Sequence, residues 1–126
     1  MRTSYITVDL DLESSADLSW IKDSGSSEGV TVHYCGPGET GHRATLGVAG
    51  CDENEDHAIG VYAAFLKANS SMLSATEARI IFNIGYEAGD EFSVWRSTLS
   101  SASISAIAAI GGEIMVTIYR RESDDA

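Results

Sequence analysis

Tyr5-Ile6-Thr7-Val8-Asp9-Leu10-Asp11-Leu12 alternates apolar and polar residues without a break, the period of two that a half-buried strand requires. Ile6, Val8, Leu10 and Leu12 form one face of it, and Thr7, Asp9 and Asp11 the other. One face of this strand belongs to a core. The other is acidic, and with Glu13 two residues further on it becomes a stripe of three carboxylates.

The same period returns further along the chain. Val30 to Cys35 and Arg43 to Ala49 read as strands joined across Gly36-Pro37-Gly38-Glu39-Thr40-Gly41, whose glycines and proline are turn formers. Arg79 to Tyr86 and Phe92 to Ser97 read as a second hairpin, and Glu113 to Arg120 as a last strand. Between them the period changes. Ala58, Ile59, Tyr62, Phe65 and Leu66 recur at three- and four-residue spacings, the stripe of an amphipathic helix. Asp52, Glu53, Asn54, Glu55 and Asp56 stand at its start, where carboxylates complement the positive end of the helix dipole. Ser100 or Ser101 caps a second helix through Ile104, Ile107, Ala108 and Ile110, stopped by Gly111-Gly112. A short helical turn is expected over Ala16 to Lys22, a loop over Gly25 to Gly29, and a frayed acidic tail over 122–126.

Strand, short helix, two strands, long helix, two strands, helix, strand is the resulting order. It predicts one α+β domain over 1–126, a two-layer sandwich whose largely antiparallel sheet of about six strands carries two main helices on one face. The other face is left to solvent or a partner.

Composition narrows the partner more than the chemistry. Nineteen Asp and Glu against eight Lys and Arg give a formal charge of −11 on 126 residues, which repels nucleic acid and anionic membrane and attracts cationic surfaces. The opening residues contain no apolar run long enough for a secretory leader or a membrane span, so a cytoplasmic protein is expected. Cys35 and Cys51 are too few for a disulfide framework and read as small apolar residues of a reducing compartment.

Several motifs fit their patterns and lack their contexts. Gly36 to Gly41 satisfies G-x-G-x-x-G after a strand, but a dinucleotide site needs a helix N-terminus to receive the pyrophosphate, and a strand follows here. Gly25-Ser26-Ser27-Glu28-Gly29 matches G-x-S-x-G, yet a nucleophile elbow turns from strand into helix, and again a strand follows. Asp9, Asp11 and Glu13 resemble half a calcium loop without its glycine and its closing glutamate; strand alternation accounts for the same three residues. His33 and Cys35, at positions sharing a strand face, with His42 and His57, would form the ligand set of a zinc-binding alternative, although their spacing matches no familiar paired-ligand pattern. No residue stands out as catalytic, and no cofactor is implied.

Phe82-Asn83-Ile84-Gly85-Tyr86-Glu87-Ala88-Gly89, then Ile107-Ala108-Ala109-Ile110-Gly111-Gly112, then Ile114-Met115-Val116-Thr117-Ile118-Tyr119 resemble a bacterial family of small domains of unknown function. The resemblance covers about the last 45 residues well and the first half loosely. Where that family has proline in the cap of the last helix, this chain has Ser101-Ala102-Ser103. It implies no established activity, so no functional residue is carried over.

The expected function is therefore that of a non-enzymatic acidic interaction protein, similar in type to immunity proteins or inhibitors that bind and occlude a basic toxin or nucleic-acid-binding protein. Asp9, Asp11, Glu13, Asp52, Glu53, Glu55 and Asp56 are the expected partner-binding residues, acting by steering and by charge-assisted hydrogen bonds. The alternatives are a small-ligand or zinc-binding module at the His/Cys-containing hairpin, and a self-associating protein using a free sheet face or edge strand.

Overall fold

Residues 5–24, 29–48, 55–88 and 98–120 are described in a computed structural model of the chain. They form β1 (Tyr5–Ser14), α1 (Ile21–Ser24), β2 (Thr31–Pro37), β3 (His42–Gly47), α2 (Glu55–Ala68), α3 (Ser70–Thr76), β4 (Arg79–Ala88), α4 (Ser101–Ala109) and β5 (Glu113–Arg120). The architecture is α+β, a sheet in the order β2-β3-β1-β4-β5 with helices packed on one face.

β1 is the central strand, antiparallel to β3 on one side and to β4 on the other. Its alternation places Val8, Leu10 and Leu12 in the core, beside Ala44 and Leu46 of β3 and Ile80, Phe82, Ile84 and Tyr86 of β4. Across this layer lies the stripe of α2, with Ala58, Ile59, Tyr62, Phe65 and Leu66 all buried. Ile21 of α1, Leu73 of α3 and Ile107 of α4 join the same cluster, so the described helices share one side of the sheet. Edge-to-face contact between Tyr62 and Phe82, with ring centroids 6.2 Å apart, fixes α2 over β4.

Three of the four strand pairs are antiparallel, in keeping with a largely antiparallel sheet. β5 runs parallel to β4, pairing Ile81 with Glu113 through Ala88 with Arg120, so the sheet is mixed. The physical reason lies in the connection: α4 carries the chain back along the sheet before β5 starts, and a parallel neighbour requires such a crossover. Five of the expected strands of about six are present among the described residues; the expected strand over 92–97, like the loop over 25–28 and the tail over 122–126, lies outside them.

Four helices form where two main ones were expected. α2 and α4 are those two. α1 occupies the end of the expected turn, with Leu18 and Ile21 buried and the Ile21 amide donating to the Leu18 carbonyl. α3 buries no residue fully. It ends on Glu77, whose φ of 50° is left-handed, with the Ala78 amide closing back on the Leu73 carbonyl.

α4 has both its ends specified by sequence. The Ser100 hydroxyl accepts from the Ser103 amide at the N-cap. At the other end Gly111 takes φ +70°, and the Gly112 amide returns to the Ile107 carbonyl at 2.9 Å, a glycine-dependent stop.

Candidate functional site

With the helices on one side, the opposite face of the sheet is the surface on which side chains from several strands converge. Register places Asp9, Asp11 and Glu13 of β1, Arg43 and Thr45 of β3, Arg79 and Asn83 of β4 and Glu113 and Thr117 of β5 on this open face. The three β1 carboxylates stand there because their strand neighbours Val8, Leu10 and Leu12 are taken by the core.

They differ in their surroundings. Asp11 is built into a row that crosses four strands. Its Oδ1 accepts from Thr45 Oγ1 at 2.9 Å and its Oδ2 lies 3.5 Å from the Asn83 amide nitrogen, while Thr117 Oγ1 donates to Asn83 Oδ1 at 3.3 Å. Glu13 belongs to a second row, where Arg79 reaches both ways. Arg79 donates to Glu113 through Nε and Nη2 at 2.8 and 2.9 Å, and to Glu13 through Nη1 at 3.4 Å. The forked contact holds the Glu113 carboxyl below the usual carboxylate range. Because these groups are about half exposed, the row contributes geometry more than stability.

Asp9 is half-buried, and no hydrogen bond places it in either row. Burial, and then the charge of Asp11 on the same face, push its carboxyl above the ordinary aspartate range, with His33 offsetting part of the rise. His33 follows the inward-facing Val32 and stands on this face by alternation, and the bulge between Val32 and Tyr34 keeps Tyr34 on it as well. The His33 ring lies against Gly47, where a Cβ would come within 2.1 Å of Nε2 and turn the ring aside. On the same sheet edge the Arg43 guanidinium sits 5.0 Å from the centre of the Tyr34 ring.

The bulge also corrects the expectation that His33 and Cys35 share a face. The extra residue returns Cys35 to the inner side, opposite Ala44, with its thiol 3.5 Å from the Leu18 carbonyl; burial pushes that thiol up. His42 starts β3 at the hairpin, and His57 is exposed on α2 in the helix layer. The four expected zinc ligands are thus spread over both layers. Among the described residues no group of three or more His, Cys, Asp and Glu is placed to hold a metal ion.

The described members of the second acidic group, Glu55 and Asp56, lie at the start of α2. Asp52 and Glu53 are outside the described residues. Glu55 is buried at the start of α2, its Oε2 lying 3.5 Å from the Tyr86 hydroxyl. Asp56 caps α4 from its neighbour helix: Oδ1 accepts from the Ser103 hydroxyl at 2.6 Å and from the Ser100 amide at 3.1 Å. The Ser103 bond, then the Ser100 amide, hold its carboxyl below the ordinary range. Described members of the two expected groups therefore occupy opposite layers and do not form one surface.

Sequence reading missed the partners of the stripe, namely Thr45, Arg79, Asn83, Glu113 and Thr117. Their signal was polarity at outward positions of alternating strands, which becomes meaningful only once register is known. Gly36 to Gly41 forms the expected hairpin, closed by the Gly38 amide on the Gly41 carbonyl at 2.7 Å. No helix among the described residues is long and apolar enough to cross a membrane. Comparisons with family models, curated proteins and solved structures return no match to this chain.

Proposed function

We propose that the chain is a non-enzymatic acidic interaction protein that docks the open face of its sheet onto a basic surface of a partner protein, in the manner of an immunity protein or inhibitor covering a toxin or a nucleic-acid-binding protein. The observation that carries this reading is the pairing of Asp9 with Asp11. Two carboxylates are held on one face of a central strand, and the half-buried one is penalised both by desolvation and by its neighbour's charge. A guanidinium or ammonium group from a partner would relieve both penalties and gain charge-assisted hydrogen bonds.

Asp11 supports the reading through its rigidity. Tied to Thr45 and Asn83, it has little side-chain freedom left to lose on binding, and a preorganised acceptor costs less to dock. Within the expected partner-binding set, the proposal favours Asp9, Asp11 and Glu13. Glu55 and Asp56 are engaged within the protein, with Tyr86 of β4 and Ser103 of α4.

Affinity capture with the intact chain, followed by association kinetics, tests the reading. Asp9→Lys and Asp11→Lys are expected to slow association with a captured basic partner and to flatten its salt dependence. Asp23→Lys, exposed on α1, should leave both nearly unchanged. Equal behaviour of all three variants would reject the open face as the docking surface.

A further inference from the structure

The two edges of the sheet are built differently. β2 is broken by its bulge and ends in Pro37, two devices that discourage another strand from pairing. β5 has eight residues with unbroken register against β4 and, among the described residues, a strand neighbour on one side only. It is also apolar on both of its faces: Ile114 is 42% exposed, Met115 46%, Val116 54%, Ile118 70% and Tyr119 56%. The side chain of Glu113 is held by Arg79.

We infer that β5 is a self-pairing edge, through which two copies of this chain join their sheets by antiparallel pairing of β5 with β5. Charge selects the occupant. A basic partner would need free carboxylates along the strand, and the one carboxylate described there is matched by a guanidinium within the same chain. In a chain of net charge −11, an almost neutral strand is where a second acidic copy meets the least repulsion.

Symmetry sets the register. A two-fold axis perpendicular to the sheet keeps like faces together only if residues of the same parity pair, and an axis at Val116 brings Val116 opposite its own copy and Ile114 opposite Ile118. Met115 then faces Thr117, and Glu113 faces Tyr119, so no carboxylate opposes a carboxylate. A contact confined to one edge strand from each copy is small for a specific interface, so exchange between one copy and two is expected.

Sedimentation velocity of the intact chain over micromolar to millimolar concentration reads the result. A reversible monomer–dimer equilibrium is expected that strengthens as salt is added, because screening removes repulsion between two acidic bodies. Docking of a basic protein on the open face would weaken with salt, so success or failure of the two proposals can be told apart. Val116→Lys and Ile118→Lys, both at exposed positions, should raise the dissociation constant about a hundredfold, through a lost central apolar contact and, at Val116, a like-charge pair. Their unfolding midpoints should match the parent chain. A monomer at every concentration and salt level, or a dimer indifferent to both substitutions, overturns the inference.

Discussion

The hydroxyl of Tyr62 in α2 donates to the carbonyl of Val8 in β1 at 2.6 Å, just beyond the last residue pair of β1 with β3. The Leu46 carbonyl of β3 is 3.2 Å from the same oxygen. Where the two strands part, one phenol supplies the donor that the ladder no longer provides. Tyr62→Phe keeps the ring and leaves a buried carbonyl unpaired, so a loss of about 1–3 kcal/mol is expected in urea unfolding, without change in the m-value.

Asp9 and Asp56 should respond to pH in opposite directions. The native pKa of Asp9 is raised, so the native state holds its proton more tightly than the unfolded chain. Its favourable contribution is present below the ordinary aspartate value and is lost as pH rises through the raised one. Asp9→Asn should therefore be more stable than the parent chain at neutral pH, with the difference closing once the pH falls below the ordinary aspartate value. Denaturant unfolding across the acid range measures it.

Asp56 has a lowered native pKa, because its carboxylate accepts from Ser103 and Ser100. Its contribution is complete above the ordinary aspartate value and disappears as pH falls through the lowered one. Asp56→Asn should lower the melting temperature at neutral pH and differ little from the parent at strongly acid pH. Ser100→Ala, which removes the cap hydroxyl of α4, should cost about 1 kcal/mol by thermal or denaturant unfolding.

Glu77 stops α3 in a left-handed conformation, φ 50° and ψ 44°, where a side chain is strained and glycine is not. Glu77→Gly should stabilise the protein by about 0.5–1 kcal/mol, the relief of strain exceeding the added freedom of the unfolded chain. Equilibrium unfolding would show the opposite sign if the Glu77 side chain made a contact worth more than its strain.

What could be read from the sequence was periodicity and punctuation. The alternation from Tyr5 to Leu12, the stripe from Ala58 to Leu66 and the Gly111-Gly112 stop each state a local geometry, and each has its counterpart in β1, α2 and the end of α4. Direction and register are not local. Nothing in Ile114, Val116 and Ile118 says whether β5 runs with or against β4, since both arrangements use the same period. The bulge at Val32/Tyr34 adds one residue without a distinguishing type, and it decides that Cys35 faces inward while His33 stays on the open face, its ring over Gly47. α3 lacked a legible stripe because it fully buries no side chain.

The candidate site was legible to the same extent. Alternation sufficed to place Asp9, Asp11 and Glu13 together on one face. It could not sort Asp56 from them, because four carboxylates within 52–56 look alike by count, and only the approach of α4 turns one of them into a cap for Ser100 and Ser103.

Carbon-detected NMR titration of the Asp9 and Asp11 carboxyl groups, with and without an arginine-rich peptide, tests the docking face most directly. In the free chain Asp9 should titrate above the ordinary aspartate range. The peptide should lower that value and shift both carboxyl signals, with the effect fading as salt is added. An Asp9 that titrates normally, or peptide-induced shifts confined to α2, α3 and α4, would contradict the account.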